Sequence, residues 1–318
     1  MDYWHFSLLF VIGVISGAAF TKLLIPLLEK ANTGQSIRED GPASHQAKAG
    51  TPTMGGIAII AAVILTCFIA GAISAELLVI MSVFILSGAI GFIDDYIKVT
   101  NKHNLGLRAW QKLALQTAIG LSFAIYQSFA SIFGTAVRIP VLHVYWDFGI
   151  WYIPFVVFVV VAMLNSVNLT DGLDGLAAGA TSITALFFAL AGTIFGMVSG
   201  GGFCTALSGA CLGFLYFNKN PAKVFMGDTG SLALGGGLAA AVIVMNMELL
   251  LPVAGFVYMA EALSVIIQVA GFKTTGKRVF KMSPLHHHFE LLGMSEKKVT
   301  VMFWILATIF CVIGMNLF

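Results

Sequence analysis

Two acids stand side by side where a long apolar segment ends. In GFIDDYIK, Asp94 and Asp95 are followed one helical turn later by Lys98. Adjacent acids at the end of an apolar helix are costly unless water, a cation or a basic neighbour compensates them. They either pair with Lys98 as an ordinary helix end or serve in metal binding or proton transfer. Because neighbouring helical positions point about 100° apart, we expect different roles for the two carboxylates.

The segment NSVNLTDGLDG carries a polar side chain at every third position. Asn165, Asn168, Asp171 and Asp174 lie along one ridge if the segment is helical. Glycines such as Gly172 between them allow a ligand to approach the backbone closely. The alternative is a turn whose Asx side chains cap the next helix.

A third acid opens another apolar run, in NPAKVFMGDTGS. Asp228, Thr229 and Ser231 begin the predicted helix, whose free N–H groups and positive dipole end suit phosphate oxygens. Asp228 is also a candidate ligand for a divalent cation that bridges such oxygens. Alternatively, Asp228 only caps the helix.

Three consecutive histidines follow in PLHHHFE. The side chains of His286, His287 and His288 cannot all point one way, so a compact zinc site from this run alone is geometrically poor. Hydrogen bonding to a phosphate or proton transfer suits the run better. A solvated basic loop is the alternative.

The composition of the chain indicates whether these polar groups lie in a soluble protein or in a membrane protein. Of 318 residues, 58% are hydrophobic and 10% are charged, against about 25% charged residues in ordinary soluble domains. This excludes a soluble globule, a disordered chain and a nucleic-acid binder, and it predicts one integral membrane domain over 1–318. A bilayer core requires about 20 apolar residues per helix. We predict an all-α polytopic membrane protein with about ten transmembrane helices, at 4–27, 53–71, 76–96, 107–128, 151–167, 175–197, 203–217, 231–246, 249–270 and 299–317.

The basic residues orient these helices. Of the 17 Lys and Arg residues, all except Arg138 fall at one set of loop ends, and loops rich in Lys and Arg are cytoplasmic. Both termini are therefore predicted to be extracytoplasmic, with the polar clusters on the cytoplasmic side. The segment 129–150 is expected to form a small hairpin or re-entrant piece on the outer face. Pro252 and Gly255 predict a kink or break in the ninth span.

Carboxylates, lysines, histidines and a helix N-terminus at one membrane face suit chemistry on a pyrophosphate, with a lipid as one reactant. An ion-coupled transporter predicts acids near the bilayer midplane, and only Glu261 lies well inside a predicted span. An intramembrane aspartyl protease predicts a dyad of Asp94 and Asp228, which the flanking lysines and histidines would disrupt.

Five motifs in order resemble those of the polyprenyl-phosphate N-acetylhexosamine-1-phosphate transferases: TPTMGG (51–56), GFIDDYIK (91–98), NLTDGLDG (168–175), NPAKVFMGDTGS (220–231) and PLHHHFE (284–290). The resemblance extends from the first predicted span to the last, and HHH followed by Phe289 and Glu290 favours the muramoyl-pentapeptide branch. It implies transfer of phospho-MurNAc-pentapeptide from UDP-MurNAc-pentapeptide to undecaprenyl phosphate, forming lipid I and UMP. The reaction belongs to peptidoglycan synthesis, and the resemblance implies that it requires Mg²⁺.

The resemblance also implies roles for individual residues. Asp94 and Asp95 match the catalytic aspartate pair, and Asp228 matches the metal-binding aspartate of the catalytic set. The histidine motif of the same catalytic set matches His286, His287 and His288. The positions around the nucleotide and phosphates match Lys48, Thr53, Lys98, Asn168, Asp171, Asp174, Asn218 and Phe225, with Phe225 expected to stack on uracil.

The expected reaction is one in-line displacement, in which Asp94 deprotonates or orients the lipid phosphate and Mg²⁺ on Asp228 neutralises the leaving group. A two-step route through an aspartate nucleophile stays open. The family further implies a multi-pass protein of the bacterial plasma membrane, a site facing the cytoplasm and a possible homodimer.

Overall fold

The computed structural model describes residues 3–31, 33, 34, 48, 50–71, 73–101 and 105–317. In this part of the chain the secondary structure is mainly helical, with one small hairpin. In chain order the elements are α1 (Tyr3–Lys30), α2 (Gly56–Ile69), α3 (Ala75–Asn101), α4 (Ala109–Ala130), β1 (Ala136–Ile139), β2 (Val144–Asp147), α5 (Tyr152–Thr170), α6 (Leu176–Ile194), α7 (Val198–Asn218), α8 (Gly227–Val244), α9 (Leu251–Ala254), α10 (Phe256–Thr275), α11 (Leu285–Leu291) and α12 (Glu296–Met315).

Nine of the described helices are long and apolar enough to cross a membrane, namely α1, α3 to α8, α10 and α12. The prediction of an all-α polytopic membrane protein is therefore confirmed. The remaining predicted span, 53–71, corresponds to α2, which has 14 residues and a length of about 21 Å. Its predicted first residues, 53–55, lie outside the helix. The N–H groups of Gly55 and Gly56 donate instead to the carbonyls of Phe225 and Met226, at 2.8 and 2.9 Å.

The predicted hairpin is confirmed at β1 and β2, which pair antiparallel with Ala136 opposite Asp147. Asn246, just beyond the end of α8, binds the backbone of β1. Its Nδ2 donates to the Ala136 carbonyl at 2.7 Å, and its Oδ1 accepts from the Arg138 N–H at 2.6 Å. Helix α4 has 22 residues and is about 33 Å long. The hairpin therefore lies one helix length from the first turn of α4, and at the end of α8 opposite to Asp228.

Helix α8 is the centre of the bundle, and nearly all of its residues are buried. It packs chiefly against α3 and α5. Contact with α3 is close because α3 has glycine at position 91, where a Cβ atom would overlap the backbone of Asp228. Small residues permit such close helix contacts within a membrane. The last turns of α3 thereby come to lie beside the first turn of α8.

The ninth predicted span is broken, as Pro252 and Gly255 predicted. Helix α9 ends at Ala254, and α10 begins at Phe256 after the intervening glycine. The loop that follows α10 leads into α11, so the three histidines lie on a short helix. Helix α11 contacts both α10 and α12, which holds the histidines against the bundle.

Candidate active site

The two acids of α3 and the acid of α8 meet at one point of the bundle. Asp94, Asp95 and Asp228 each offer a carboxylate oxygen, and these atoms lie within 4.8 Å of one another. Asp94 and Asp95 come from the buried face of α3, near its end. Asp228 belongs to the first turn of α8. The structure therefore assembles the acidic cluster that the two separate motifs predicted.

Two lysines neutralise this cluster. The Nζ atom of Lys98 lies 2.6 Å from Asp94 Oδ2 and 2.9 Å from Asp228 Oδ2. The Nζ atom of Lys112, in the first turn of α4, lies 3.0 and 2.7 Å from the same two oxygens. The helix-end pairing of Asp94 with Lys98 is thus present, and it is part of a larger network. Lys112 could not be assigned to the site from the sequence, because no motif connects it with Asp94.

Asp95 has a different environment from its neighbour, as the angular offset predicted. Its Oδ1 accepts from the Asp228 N–H at 3.1 Å, and its Oδ2 accepts from the Thr229 N–H at 2.9 Å and the Thr229 hydroxyl at 2.7 Å. Asp95 therefore caps α8 from another helix. The expectation that phosphate oxygens occupy these N–H groups is wrong, because a carboxylate of the same chain occupies them.

The side chain of Asp228 contacts residues of other helices and does not cap its own helix. Its Oδ1 accepts from Asn168 Nδ2 at 2.8 Å, and the same amide contacts Ser231 Oγ at 2.9 Å. In α8 the N-cap position belongs to Met226. The alternative in which Asp228 only caps the helix is therefore wrong. Asn168, which the resemblance assigned to the surroundings of the nucleotide and phosphates, contacts the acidic cluster through Asp228.

The single polar ridge predicted for NSVNLTDGLDG extends only to the end of α5 at Thr170. Asn165 and Asn168 lie on that helix, whereas Asp171 and Asp174 lie in the connection to α6. Helix α5 stops there because Asp171 leaves helical backbone geometry, and glycines follow. Burial, together with the negative charges of Asp228, Asp95 and Asp174, raises the pKa of Asp171 to about 8.

A second charged cluster surrounds Asp174. Lys48 Nζ lies 2.7 Å from Asp174 Oδ1 and 2.5 Å from Glu296 Oε1. Asn220 Nδ2 donates to both acids, at 3.0 and 2.9 Å, and the Ala222 N–H donates to Asp174 Oδ2 at 3.0 Å. Lys48 and Asp174 are thus together, as the resemblance implied. Glu296 and Asn220 were missed, because Glu296 reads as an ordinary acid in the first turn of α12.

The other predicted binding residues lie in the segments that connect these clusters. Asn218 is buried and bridges two loops, because its Oδ1 accepts from the Gly175 N–H at 3.1 Å and its Nδ2 donates to the Val224 carbonyl at 2.9 Å. Thr53 is buried. Phe225 is half-buried, and its N–H donates to the Pro52 carbonyl at 2.8 Å.

The three histidines point to three different partners, as expected for consecutive residues. His286 Nδ1 lies 3.2 Å from Glu261 Oε1, and His287 Nδ1 lies 3.0 Å from Glu290 Oε2. His288 Nδ1 accepts from the Lys281 N–H at 3.1 Å. Among them, His286 is buried. A solvated basic loop is therefore wrong for His286.

Comparison with known proteins agrees with this arrangement. The chain matches the family model described as glycosyl transferase family 4 over residues 77–246, and the phospho-N-acetylmuramoyl-pentapeptide-transferase signature 1 over residues 48–60. The phospho-N-acetylmuramoyl-pentapeptide-transferase of Alkaliphilus metalliredigens is 54% identical over 316 residues, covering 96% of each chain. This chain belongs to the phospho-N-acetylmuramoyl-pentapeptide-transferase family. The resemblance noted from the motifs is thereby confirmed.

Two further members of this family are similar over nearly their whole length. The protein of that name from Alkaliphilus oremlandii is 53% identical and covers 96% of this chain and 95% of its own. The one from Shouchella clausii is 49% identical and covers 99% and 98%. The family signature includes Lys48 and Thr53, and the family model includes the three clustered aspartates.

Proposed function

We propose that this chain transfers phospho-MurNAc-pentapeptide from UDP-MurNAc-pentapeptide to undecaprenyl phosphate, forming lipid I and UMP in peptidoglycan synthesis. The observation that carries the proposal is the acidic cluster with its two lysines, Lys98 and Lys112, which lies within the residues that the family model matches. Phosphoryl transfer needs little covalent chemistry from the protein and depends on positioning and charge stabilisation. The cluster supplies both.

The donor set fits Mg²⁺. Carboxylate oxygens are the hard ligands that this ion prefers, and the three aspartates present them close together. Asp228 is the most accessible, since its side chain is 17% exposed and that of Asp94 is 0% exposed. Asp95 is engaged by α8. Asp228 is therefore proposed as the principal metal ligand, with Asp94 next to it. When bound, Mg²⁺ supplies charge neutralisation at phosphate oxygens.

The residues of the acidic cluster and its two lysines have different roles in the proposed reaction. Asp94 orients or deprotonates the lipid phosphate, whose oxygen attacks the β-phosphorus of the UDP conjugate. The bond from that phosphorus to the bridging oxygen breaks, and UMP leaves with the electron pair. Lys98 and Lys112 stabilise the charge that develops on the phosphate oxygens. Asp94 is held by both lysines and by the Leu107 N–H at 2.7 Å.

The site is proposed to face the cytoplasm of a bacterial plasma membrane. The basic residues concentrate at the ends of the helices that carry the acids, and such loops are cytoplasmic. Arg138 lies on the hairpin at the opposite end of α8. Single cysteines that replace Lys219 and Arg138 test this orientation with an impermeant thiol reagent in intact cells. This orientation predicts labelling of Arg138→Cys and not of Lys219→Cys, and the reverse pattern would overturn it.

The reaction itself is tested with purified protein, UDP-MurNAc-pentapeptide and undecaprenyl phosphate. We expect UMP and lipid I in equal amounts, dependent on both the lipid phosphate and Mg²⁺. Asp228→Ala is expected to abolish turnover, whereas the distant Arg138→Ala should retain it. Absence of UMP would refute the function and reopen the transporter and the protease. Stoichiometric UMP release without lipid would refute the single displacement and favour the two-step route.

A further inference from the structure

Glu261 is a carboxylic acid buried inside a membrane-spanning helix. It lies on α10, and its side chain is 0% exposed. Ionisable groups at such positions are rare, costly and paired with a specific partner. The proposed reaction gives this residue no role. It lies on a different helix from the three clustered aspartates, which belong to α3 and α8.

The partner of Glu261 is the first histidine of α11. Glu261 Oε1 lies 3.2 Å from His286 Nδ1, and the backbone N–H of His286 donates to Glu261 Oε2 at 3.4 Å. One carboxylate therefore contacts both the ring and the backbone of His286. A carboxylate next to one ring nitrogen sets the tautomer and the orientation of an imidazole.

The other ring nitrogen of His286 points to the loop between α5 and α6. A Cβ atom at Gly172 would overlap Nε2 and come close to Cε1, so the ring edge lies directly against this glycine. Gly172 stands between Asp171 and Asp174. Within the described residues, both ring nitrogens of His286 and Oε1 of Glu261 are buried without a hydrogen bond. Nδ1 has the Glu261 carboxylate at 3.2 Å, whereas Nε2 faces Gly172, which offers it no side chain. A buried polar atom without a partner is uncommon in proteins and calls for one.

His286 differs from the next two histidines in the part of the protein that its side chain contacts. His287 contacts Glu290 within the same short helix, and His288 accepts from the backbone of Lys281. Both of those interactions connect groups of the α11 region with each other. The contact of His286 with Glu261 instead connects α11 to the membrane-embedded helix α10.

We propose that Glu261 is a positioning residue that holds the imidazole of His286 with Nε2 presented to the nucleotide sugar bound against the Gly172 loop. The inference rests on the proposed function and deepens it. In the substrate complex that we propose, Nδ1–H donates to the Glu261 carboxylate, which already lies 3.2 Å from Nδ1, and Nε2 contacts a polar group of the substrate. Gly172 is needed because any side chain there would displace the ring.

A double-mutant cycle separates positioning from a structural role. We expect His286→Ala to lower kcat/KM by about 100-fold or more, and Glu261→Gln to lower it by about 10-fold. In the His286→Ala background, Glu261→Gln should change kcat/KM by less than about 2-fold, because the residue acts through the ring. Equal effects of Glu261→Gln in both backgrounds would overturn the proposal.

Glu248→Gln is the matched control. Glu248 is also buried, but it lies near the hairpin end of α8, so the same chemical change there should leave kcat/KM unchanged. Loss of activity in this control would show that removing any buried carboxylate disturbs the enzyme, and would overturn the specific role of Glu261.

Histidine ¹⁵N resonances of the detergent-solubilised protein test the positioning without any turnover. The resonances of His286 are identified by their loss in His286→Ala. We expect the wild type to carry the proton on Nδ1 and Glu261→Leu to lose that preference. Such a change in a protein that releases no UMP would refute the proposed function and retain the positioning. An unchanged tautomer in an active protein would refute the positioning alone.

Discussion

The hydrogen bonds by which Asp95 caps α8 should contribute measurably to the stability of the protein. Its carboxylate accepts three hydrogen bonds at the start of that helix, and its side chain is buried. A hydrogen bond to a charged group contributes about 1.5–3 kcal/mol, and a neutral one about 1 kcal/mol. Asp95→Asn leaves one acceptor oxygen and turns an amide N–H group towards a backbone N–H. We therefore expect Asp95→Asn to lower the free energy of unfolding by about 2–4 kcal/mol.

The neighbouring hydroxyl provides a graded comparison. Thr229→Val removes only the shortest of the three bonds and leaves both backbone N–H groups paired, so we expect a loss of about 1 kcal/mol. With an unfolding entropy of about 2 cal/mol/K per residue, a chain of 318 residues melts about 1.5 °C lower for each kcal/mol lost. The expected shifts are about 3–6 °C for Asp95→Asn and about 1–2 °C for Thr229→Val.

Thermal unfolding in detergent, followed by tryptophan fluorescence, measures these shifts. Ser82→Ala is the control, because its exposed hydroxyl on the same helix α3 bonds only to the carbonyl one turn earlier, and its melting temperature should not change. Asp95→Asn is also expected to lower kcat, since Asp228 lies in the turn that Asp95 holds. A melting temperature of Asp95→Asn within about 1 °C of wild type, or a larger shift for Thr229→Val, would refute the reasoning.

Two further predictions concern Glu248 and Phe225. Burial raises the pKa of Glu248 to about 8, above its unfolded value, so its contribution to stability is complete below about pH 4.5 and is lost as the pH rises towards 8. The free energy of unfolding of Glu248→Gln should therefore exceed that of the wild type increasingly from about pH 5 to pH 8, by up to about 1.4 kcal/mol per pH unit. Melting temperatures that differ by the same amount at every pH would contradict this. Phe225→Ala should raise KM for the nucleotide sugar by the equivalent of about 1–3 kcal/mol if the ring stacks on uracil, and an unchanged KM would exclude the stack.

The acidic cluster shows how far motif reasoning extends. GFIDDYIK and NPAKVFMGDTGS identified three acids that meet in space, because acids within apolar segments are rare enough to mark a functional position. The pairing with Lys98 also followed from its spacing along one helix. Lys112 did not follow, since it joins the cluster only because α4 returns beside α3 and α8.

The same limit applies to the second cluster and to the histidines. Asp174 was expected at a binding site, but its partners Glu296 and Asn220 lie far away in the chain. Glu261 stood out as an acid inside a predicted span, yet nothing in its surrounding sequence connects it with His286. The length of α2 was also overestimated, because the residues before it pair with the segment ahead of α8.

Composition and motif spacing were sufficient to identify a helical membrane protein of a recognisable family, with its chemistry in a few polar segments between apolar helices. Apolar length, charge composition and helical spacing are local properties, and they act on every segment independently of its neighbours. The different partners of the two adjacent aspartates became visible in the folded chain: Asp95 caps a helix 133 positions later, while Asp94 contacts two lysines. The choice between such roles depends on which donors the packing of α3 against α8 brings within hydrogen-bond distance.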